Sequence, residues 1–352
     1  MQTPSANDLV VDPAVEEASP AAPALPATMP AAVARRYGTA EVVEMDEVPV
    51  PVPGADEILV RVAASSLNAL DWHMLTGTPY LLRPSAGLRR PKQPIRGADV
   101  AGTVVALGDG DHPFEVGDAV FGECGGGGCA PYLAVKADNV VAKPADVSFE
   151  AAGAAPVAGL TALQGLRTHA DVQPGDRVLI NGAAGGVGTF AVQIARALGA
   201  EVTAVCSTGN VDMVAELGAN EVIDYTKDDF ATGGPRFDVM LDNVGNRTPA
   251  ECLGVLRPDA RYVVTSGPKK NRWLGPVPHI ARTALAFWRA DPSFHQFVAS
   301  PDRDDLTFLG ELMATGQLTP RIQRVIGLDG VAEGLAEIGT GPTKAKIVVV
   351  PA

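Results

Sequence analysis

Asn181-Gly182-Ala183-Ala184-Gly185-Gly186-Val187-Gly188 follows the apolar run Val178-Leu179-Ile180 and opens a helically spaced set, Val187, Ala191, Ile194, Ala195 and Leu198. A strand, a glycine-rich turn and a helix in that order are the setting in which such a loop binds a dinucleotide. Glycines let the backbone turn sharply and approach a pyrophosphate. The helix N-terminus then presents free N–H groups and a partial positive charge to that anion. The form here is A-x-G-x-x-G, with Ala183, Gly185 and Gly188 in the three key places and Ala184, Gly186 and Val187 between them. Gly199 stands where a helix C-cap glycine belongs.

Downstream of this loop, strand-like runs alternate with helical ones. Strands are expected at 201–205, 221–223, 238–241, 262–265 and 297–299, and helices at 211–217, closed by Gly218, and 305–313. This alternation predicts an α/β fold with a doubly wound parallel sheet. Upstream, short β-like runs (Val42-Val43, 58–62, 102–107, 119–121) lie between Pro, Gly and Asp turns and predict a mainly-β, barrel-like unit. The last run, 346–350, returns to that β style. The expected organisation is a barrel-like catalytic domain over 31–156, a Rossmann domain over 157–317, and a return to the first domain over 318–352. Residues 1–30 carry six prolines, no aromatic and no basic residue, and are expected to be a disordered extension. Met29 marks a candidate start of the folded unit, and the cationic start and apolar stretch of a secretory signal are missing.

Composition narrows the function. The chain has 352 residues, 41 Asp plus Glu against 28 Lys plus Arg, and a net charge of −13. It lacks the basic footprint of a nucleic-acid binder and should be repelled by anionic membrane surfaces. No apolar run reaches the length of a membrane span. Four cysteines do not make a disulfide framework, which fits a reducing compartment and leads us to expect the cytoplasm.

The strand after the glycine loop ends in Cys206-Ser207-Thr208-Gly209-Asn210. A site that prefers NADH usually places Asp or Glu here to hold the ribose 2′-hydroxyl. With no acid present, a 2′-phosphate would not meet a carboxylate. Ser207, Thr208 and Asn210 can donate hydrogen bonds to it, and Lys227 can add charge. The expected cofactor is NADPH.

Several further motifs occur in a telling order: Ser66-Leu67-Asn68-Ala69-Leu70-Asp71, Gly97-Ala98-Asp99-Val100-Ala101-Gly102, Gly117-Asp118, Ala158-Gly159-Leu160-Thr161-Ala162, the glycine loop, Asp224-Tyr225, Asp242-Asn243-Val244-Gly245 and Lys346. From about Ala31 to the C-terminus the chain resembles the medium-chain dehydrogenase/reductase superfamily, and within it the zinc-independent quinone oxidoreductase (zeta-crystallin-like) branch. The resemblance implies a GroES-like barrel beside the Rossmann domain. It also exposes a departure. Zinc-dependent members carry Cys at the position of Asn68 and a His-Glu pair at those of Ala98 and Asp99. Asn68 and Ala98 cannot supply the thiolate and imidazole that zinc takes. The four-cysteine zinc lobe is missing too. Cys124 and Cys129 read as packing residues, and none of the five histidines has ligand spacing. No metal is expected.

Without a Lewis acid, direct hydride transfer suits an electrophile that delocalises charge itself, a quinone or an α,β-unsaturated carbonyl. The resemblance implies that Asn68 and Asp71 line the nicotinamide end of the cleft, with Tyr80 nearby as a proton or hydrogen-bond donor. The alternatives are capping for Asp71 and packing for Tyr80. It further implies that Thr161 contacts the nicotinamide, Tyr225 the 2′-phosphate, and Asn243 and Gly245 the riboses. Ser266 and Gly267 would face the nicotinamide. Lys346 would reach the cofactor or be a solvated terminal lysine. Two segments are expected to set substrate range: the acid-free loop Pro79–Pro94 with Arg83, Arg89, Arg90 and Lys92, to which no anionic substrate is assigned, and the aromatic stretch Trp273–Phe297. A homodimer is expected, through the strand near 262–265 or the aromatic stretch. The competing readings are a zinc-independent alcohol or aldehyde dehydrogenase and a non-catalytic NADPH-binding protein.

Overall fold

A computed structural model of the chain describes residues 25–268, 271–341 and 344–351. Fifteen strands are present among them: β1 (Thr28–Val33), β2 (Glu44–Pro49), β3 (Glu57–Leu67), β4 (Asp99–Leu107), β5 (Ala119–Glu123), β6 (Tyr132–Lys136), β7 (Val140–Ala142), β8 (Arg177–Asn181), β9 (Glu201–Cys206), β10 (Glu221–Asp224), β11 (Phe237–Asp242), β12 (Leu256–Val264), β13 (Ser293–Gln296), β14 (Ile322–Ile326) and β15 (Lys346–Val349).

The parallel sheet has the order β10-β9-β8-β11-β12-β13. The strand order reverses at β8 and β11, so a crevice opens at their carboxyl ends, where doubly wound sheets bind ligands. Val178, Leu179 and Ile180 of β8 are fully buried, as a central parallel strand covered on both faces requires. The glycine loop leads into the helix Gly186–Ala197, which buries Phe190, Ala191, Ile194 and Ala195 and ends at Gly199 with φ +85°.

The second sheet runs β14-β15-β3-β4-β5-β7, with β6 also on β3. It is antiparallel except for β14 and β15. The C-terminal segment therefore crosses back and pairs β15 with β3, Val348 opposite Ser66 and Ile347 opposite Leu67. Gln193, on the nucleotide-side helix, fastens this return by accepting from Thr319 N (2.8 Å) and donating to Thr319 O (3.1 Å).

Four expectations need correction. Residues 1–24 of the extension lie outside the described residues, but Thr28–Pro30 belong to β1, with Met29 buried against Ala31, Val33 and Ala130. Pro30 is tolerated because β1 belongs to a two-stranded sheet whose far side is bonded only further along, from Ala32 N to Cys129 O (3.3 Å) onward. Val42 ends a single 3₁₀ turn, Ala40–Val42, and the strand begins only at Glu44. The sixth parallel strand is Ser293–Gln296 rather than 297–299, and Phe297 instead stacks on His169 with ring centroids 4.2 Å apart. The strand near 262–265 is no free edge, because β12 lies between β11 and β13.

Candidate active site

The glycine loop forms a cradle tied from both sides. Ala183 N donates to Val205 O (3.0 Å), fixing the loop against β9. Ala184 O accepts from Ala345 N (2.9 Å), fixing it to the C-terminal strand. Gly188 has no room for a side chain: a Cβ there would lie 2.2 Å from Gly182 O and 2.6 Å from Ala183 Cα. Helix and strand can approach this closely only with glycine at that place. Gly185 is the N-cap and Gly186 the first helical residue, so the open N–H groups of the helix face the crevice. This arrangement fits the pyrophosphate of a dinucleotide.

Asp242, at the carboxyl end of β11, organises the neighbouring loop. Its Oδ1 accepts from Asn181 Nδ2, Val244 N and Gly245 N, each at 2.9 Å, and its Oδ2 from Tyr262 Oη at 2.8 Å. Asn243 donates to Asn181 O (3.2 Å) and accepts from Thr265 Oγ1 (2.7 Å). Gly245 meets Gly267 so closely that a Cβ would come to 2.9 Å of the Gly267 Cα. Asn243, Gly245, Ser266 and Gly267 are thus brought together above β11 and β12. Asp242 is the positioning group that sequence reading left out, although it stands inside a quoted motif.

At the end of β9, Asn210 Nδ2 donates to Ser207 Oγ (2.9 Å), and Thr208 Oγ1 donates to Asp224 Oδ2 (2.7 Å). This corrects the expectation that no carboxylate lies nearby. Parallel register pairs Asp224 with Cys206 and brings the acid in from the next strand. Asp224 also accepts from Thr226 N and Oγ1 and pairs with Lys227 at 3.2 Å. Burial favours its protonated form, but the hydrogen bonds from Thr208, Thr226 and Lys227 outweigh that and hold the carboxyl well below the usual range. Tyr225 beside it is half exposed, and Lys227 reaches out to solvent.

The other wall of the crevice is a buried polar knot. The β3–β4 register aligns Ser66 with Asp99, and the β3–β15 register carries Lys346 to Asn68. Asp99 Oδ2 accepts from Asn68 Nδ2 (2.8 Å) and from Ser66 Oγ, while Asp99 Oδ1 accepts from Val157 N (2.7 Å). Lys346 Nζ donates to Asn68 Oδ1 and lies 3.4 Å from both Asp99 Oδ2 and Leu67 O. Lys346 is 1% exposed and Asp99 0%. The solvated alternative for Lys346 is therefore wrong: the ammonium is a buried counter-ion, and its stem passes Gly186, where a Cβ would lie 3.5 Å from Lys346 Cδ. A buried charge persists only when paired and hydrogen-bonded, as here. Asn68 keeps one amide hydrogen whose only acceptor among the described residues, Ser66 O, is 3.5 Å away.

Asp71 is buried and fully engaged. Its Oδ2 accepts from Asn68 N and its Oδ1 from Gly97 N, both at 2.8 Å. Burial pushes its carboxyl up to about 6 against the pull of Asn68 N–H, Arg96 and Gly97 N–H. This geometry makes Asp71 the cap of the helix Ala69–Thr76, holding Asn68 in place. Glu123 faces Asp99 across the β4–β5 pair, with Oε2 buried and unpartnered. Burial, with repulsion from Asp99 and Asp71, raises it to about 7. Nothing in the local sequence marks Glu123; only the register reveals it. Thr161 donates to Val157 O (2.7 Å), which leaves its oxygen able to accept.

Tyr80 sits where the acid-free loop meets the start of the aromatic stretch. Tyr80 N donates to Arg272 O (2.8 Å) and Leu81 N to Trp273 O (3.1 Å). The Tyr80 ring meets Trp273 edge-on at 5.1 Å, with the Arg83 and Arg272 guanidinium groups 4.4 and 5.7 Å from its centroid. Its hydroxyl has no hydrogen-bond partner among the described residues. The other aromatics divide: Phe287 and Phe294 pack on Tyr262 in the core, while Trp288 is exposed.

Residues 54–145 match the alcohol dehydrogenase GroES-like domain and residues 217–349 the zinc-binding dehydrogenase domain. The chloroplastic quinone-oxidoreductase of Triphysaria versicolor is 34% identical over 87% of this chain and 93% of its own. The chain belongs to the medium-chain dehydrogenase/reductase superfamily of oxidoreductases. The 2-methylene-furan-3-one reductase of Solanum lycopersicum is 29% identical over 93% of this chain and 80% of its own. The quinone oxidoreductase structure from Coxiella burnetii superposes with a TM-score of 0.80 at 27% identity, covering 92% of this chain and all of that one. Membership implies a nicotinamide cofactor, which the glycine cradle fits. It does not bring a fitting zinc site: Ala98 has no donor atom, and both ends of the Asn68 amide are committed to Asp99 and Lys346. Among the described residues no three His, Cys, Asp or Glu side chains converge as metal ligands, and no helix is long and apolar enough to cross a membrane.

Proposed function

We propose that the protein is a metal-independent NADPH-dependent reductase of quinones or α,β-unsaturated carbonyls. The observation that carries this is the Ser66–Asn68–Asp99–Lys346 knot, in which an ammonium and three hydrogen-bond donors satisfy the buried acid behind Asn68. Such a wall orients and donates but offers no strong electrophile, so the acceptor must spread its own developing charge. Quinones and enones do so. The relatives named for quinones and for an enone support the same class.

When bound, the reduced nicotinamide would supply a hydride. The chain's residues do the rest. Gly185–Gly188 hold the pyrophosphate, and Asn243, Gly245, Ser266 and Gly267 frame the riboses and nicotinamide. Asn68 offers its remaining amide hydrogen to the acceptor oxygen, and Lys346 and Asp99 prevent that amide from turning. Tyr80 Oη would give the proton that completes reduction. Ser207, Tyr225 and Lys227 support a 2′-phosphate, since Lys227 offsets the inward-held charge of Asp224.

The test is dinucleotide consumption by chelator-treated protein with simple quinones and enals. Turnover with NADPH at least about tenfold better than with NADH, unaffected by chelation, is the expected result. Preference for NADH, loss of activity on chelation, or dinucleotide binding with no turnover on any acceptor would each refute the reading.

Two lesser proposals accompany it. Four free cysteines favour a reducing compartment such as the cytoplasm. The edge strand β13, with exposed Leu285, Trp288 and Val298 nearby, favours a homodimer across that face, which sedimentation equilibrium would reveal.

A further inference from the structure

The acid-free loop has a shape that its sequence does not disclose. Residues 83–94 close on themselves: Gly87 N donates to Arg83 O and Lys92 N to Ala86 O, both at 2.8 Å. Gly87 has φ +121°, and a Cβ there would lie 2.0 Å from Arg90 O, so the turn depends on glycine. Pro91 is buried, and Tyr37 Oη donates to Gly87 O at 2.5 Å. This ordered loop walls a cavity of about 750 Å³ lined by Arg35, Leu88, Arg89, Arg90, Lys92 and Pro94. Arg35 is engaged by Asp46 at 2.6 Å. Arg89, Arg90 and Lys92 have no side-chain hydrogen bond or ion pair among the described residues.

Three cations with no internal partner around one concavity concentrate positive charge on an exposed surface. The rest of the chain makes it more telling. No Asp or Glu occurs between Asp71 and Asp99, while the whole protein carries a net charge of −13. A protein so acidic repels polyanions everywhere except where cations are concentrated, so such a patch both attracts and orients an anionic ligand. A chain of contacts runs from this loop to Tyr80. Gly87 touches Tyr37, the Arg83 guanidinium lies 4.6 Å over Tyr37 and 4.4 Å over Tyr80, and Tyr80 meets Trp273.

We propose that this cavity is a second binding site, for the phosphate groups of a small organic phosphate, and that it anchors the remote end of the electrophile whose reactive end lies beside Tyr80. Guanidinium forks suit phosphate oxygens bidentately, and Lys92 adds a point charge. The substrate half of this proposal rests on the reductase reading; the binding half does not.

Two measurements test it, both with NADPH at saturation so that the glycine cradle is filled. The first is calorimetric titration with adenosine 3′,5′-bisphosphate. The second compares crotonyl-coenzyme A with the neutral thioester S-crotonyl-N-acetylcysteamine as acceptors. The variant is Arg89→Ala/Arg90→Ala/Lys92→Ala, whose side chains are all exposed and whose loop keeps Gly87 and Pro91. We expect the variant to bind the bisphosphate about tenfold or more weakly. Its KM for crotonyl-coenzyme A should rise by a similar factor at unchanged kcat, with the neutral thioester unaffected. Arg90→Glu alone should weaken bisphosphate binding further than Arg90→Ala. Equal bisphosphate affinity in wild type and triple variant overturns the site. A KM change shared by both acceptors overturns the anchoring role. If the wild type reduces neither acceptor, the reductase reading fails on these substrates and anchoring with it, while the titration still decides whether the site exists.

Discussion

The two walls of the crevice are built on opposite plans. The glycine cradle is made from eight consecutive residues, and its geometry follows from local backbone freedom and one close helix–strand approach. The polar knot is made from Ser66, Asp99 and Lys346 on three strands and Asn68 at a helix N-cap, with Lys346 and Asn68 separated by 278 positions. The cradle binds by what it leaves out, since missing side chains expose N–H groups. The knot works by saturation, with nearly every donor and acceptor committed. The first kind of site tolerates almost no added atom, and the second almost no removed charge.

That contrast is broken most forcefully at Lys346. Lys346→Met keeps the stem beside Gly186 but leaves Asp99 buried without its counter-ion. Losing one partner of a buried pair costs about 3–5 kcal/mol, so denaturant unfolding should show a loss of that size. Lys346→Met with Asp99→Asn should recover much of it, because the uncompensated charge is gone. An unchanged midpoint in the single variant would mean that the ammonium is dispensable.

Glu123 sharpens the point from the other side, as a buried acid that the knot does not satisfy. Its folded value of about 7 lies above that of an unfolded glutamate. The native state therefore holds the proton more tightly, and stability falls as pH rises from the unfolded value toward about 7, then levels off. Glu123→Gln removes this dependence. The variant should gain on wild type across that window and be more stable by about 2–3 kcal/mol at pH 8. A constant difference between pH 4 and pH 8 would show that Glu123 titrates alike in the folded and unfolded chain, so that burial does not raise it.

The cradle responds to addition. Gly188→Ala places a methyl against Gly182 O and Ala183 Cα, both backbone atoms that cannot swing aside. Overpacking of this kind costs about 1–3 kcal/mol, and it should weaken NADPH binding, followed by the quenching of protein fluorescence, by about tenfold or more. Binding at wild-type strength would show that the loop can relax and that the close approach is not required.

The same contrast explains what the sequence disclosed. The cradle was legible because its residues are contiguous and their spacing has one physical purpose. The alternation after Arg177 likewise reported the parallel sheet. Asn68 and Asp71 were found through the motif they share. Capping is one of the two readings of Asp71, and the bond from Asn68 N bears it out; its other bond, from Gly97 N twenty-six residues on, is reported by no periodicity. Lys346 could be named from the sequence but not paired, since its partner is set by the antiparallel register of β15 with β3. Asp224 misled in the same way: it is absent from the strand end where such an acid is sought, and the parallel register of β10 with β9 supplies it from beside. Short elements failed for a different reason. Val42 and Phe297 are β-prone residues whose conformation is decided by what they pack against.

The smallest effect is expected where the barrel-side loop meets the nucleotide-side loop. Tyr80 joins the barrel-side loop to the nucleotide-side loop through two backbone hydrogen bonds, which no side-chain change removes, and through its ring against Trp273. An edge-on aromatic pair adds about 0.5–1.5 kcal/mol beyond its buried area. Tyr80→Phe keeps the ring and removes only the hydroxyl. If Tyr80 delivers the proton, this variant should lower kcat for an enone by about tenfold or more while leaving KM and the melting temperature nearly unchanged. Tyr80→Leu should lose the hydroxyl and the ring contact together, adding a loss of about 1 kcal/mol in stability. Equal kcat in Tyr80→Phe and wild type would leave the tyrosine as a clasp between the two loops and give the proton transfer to solvent.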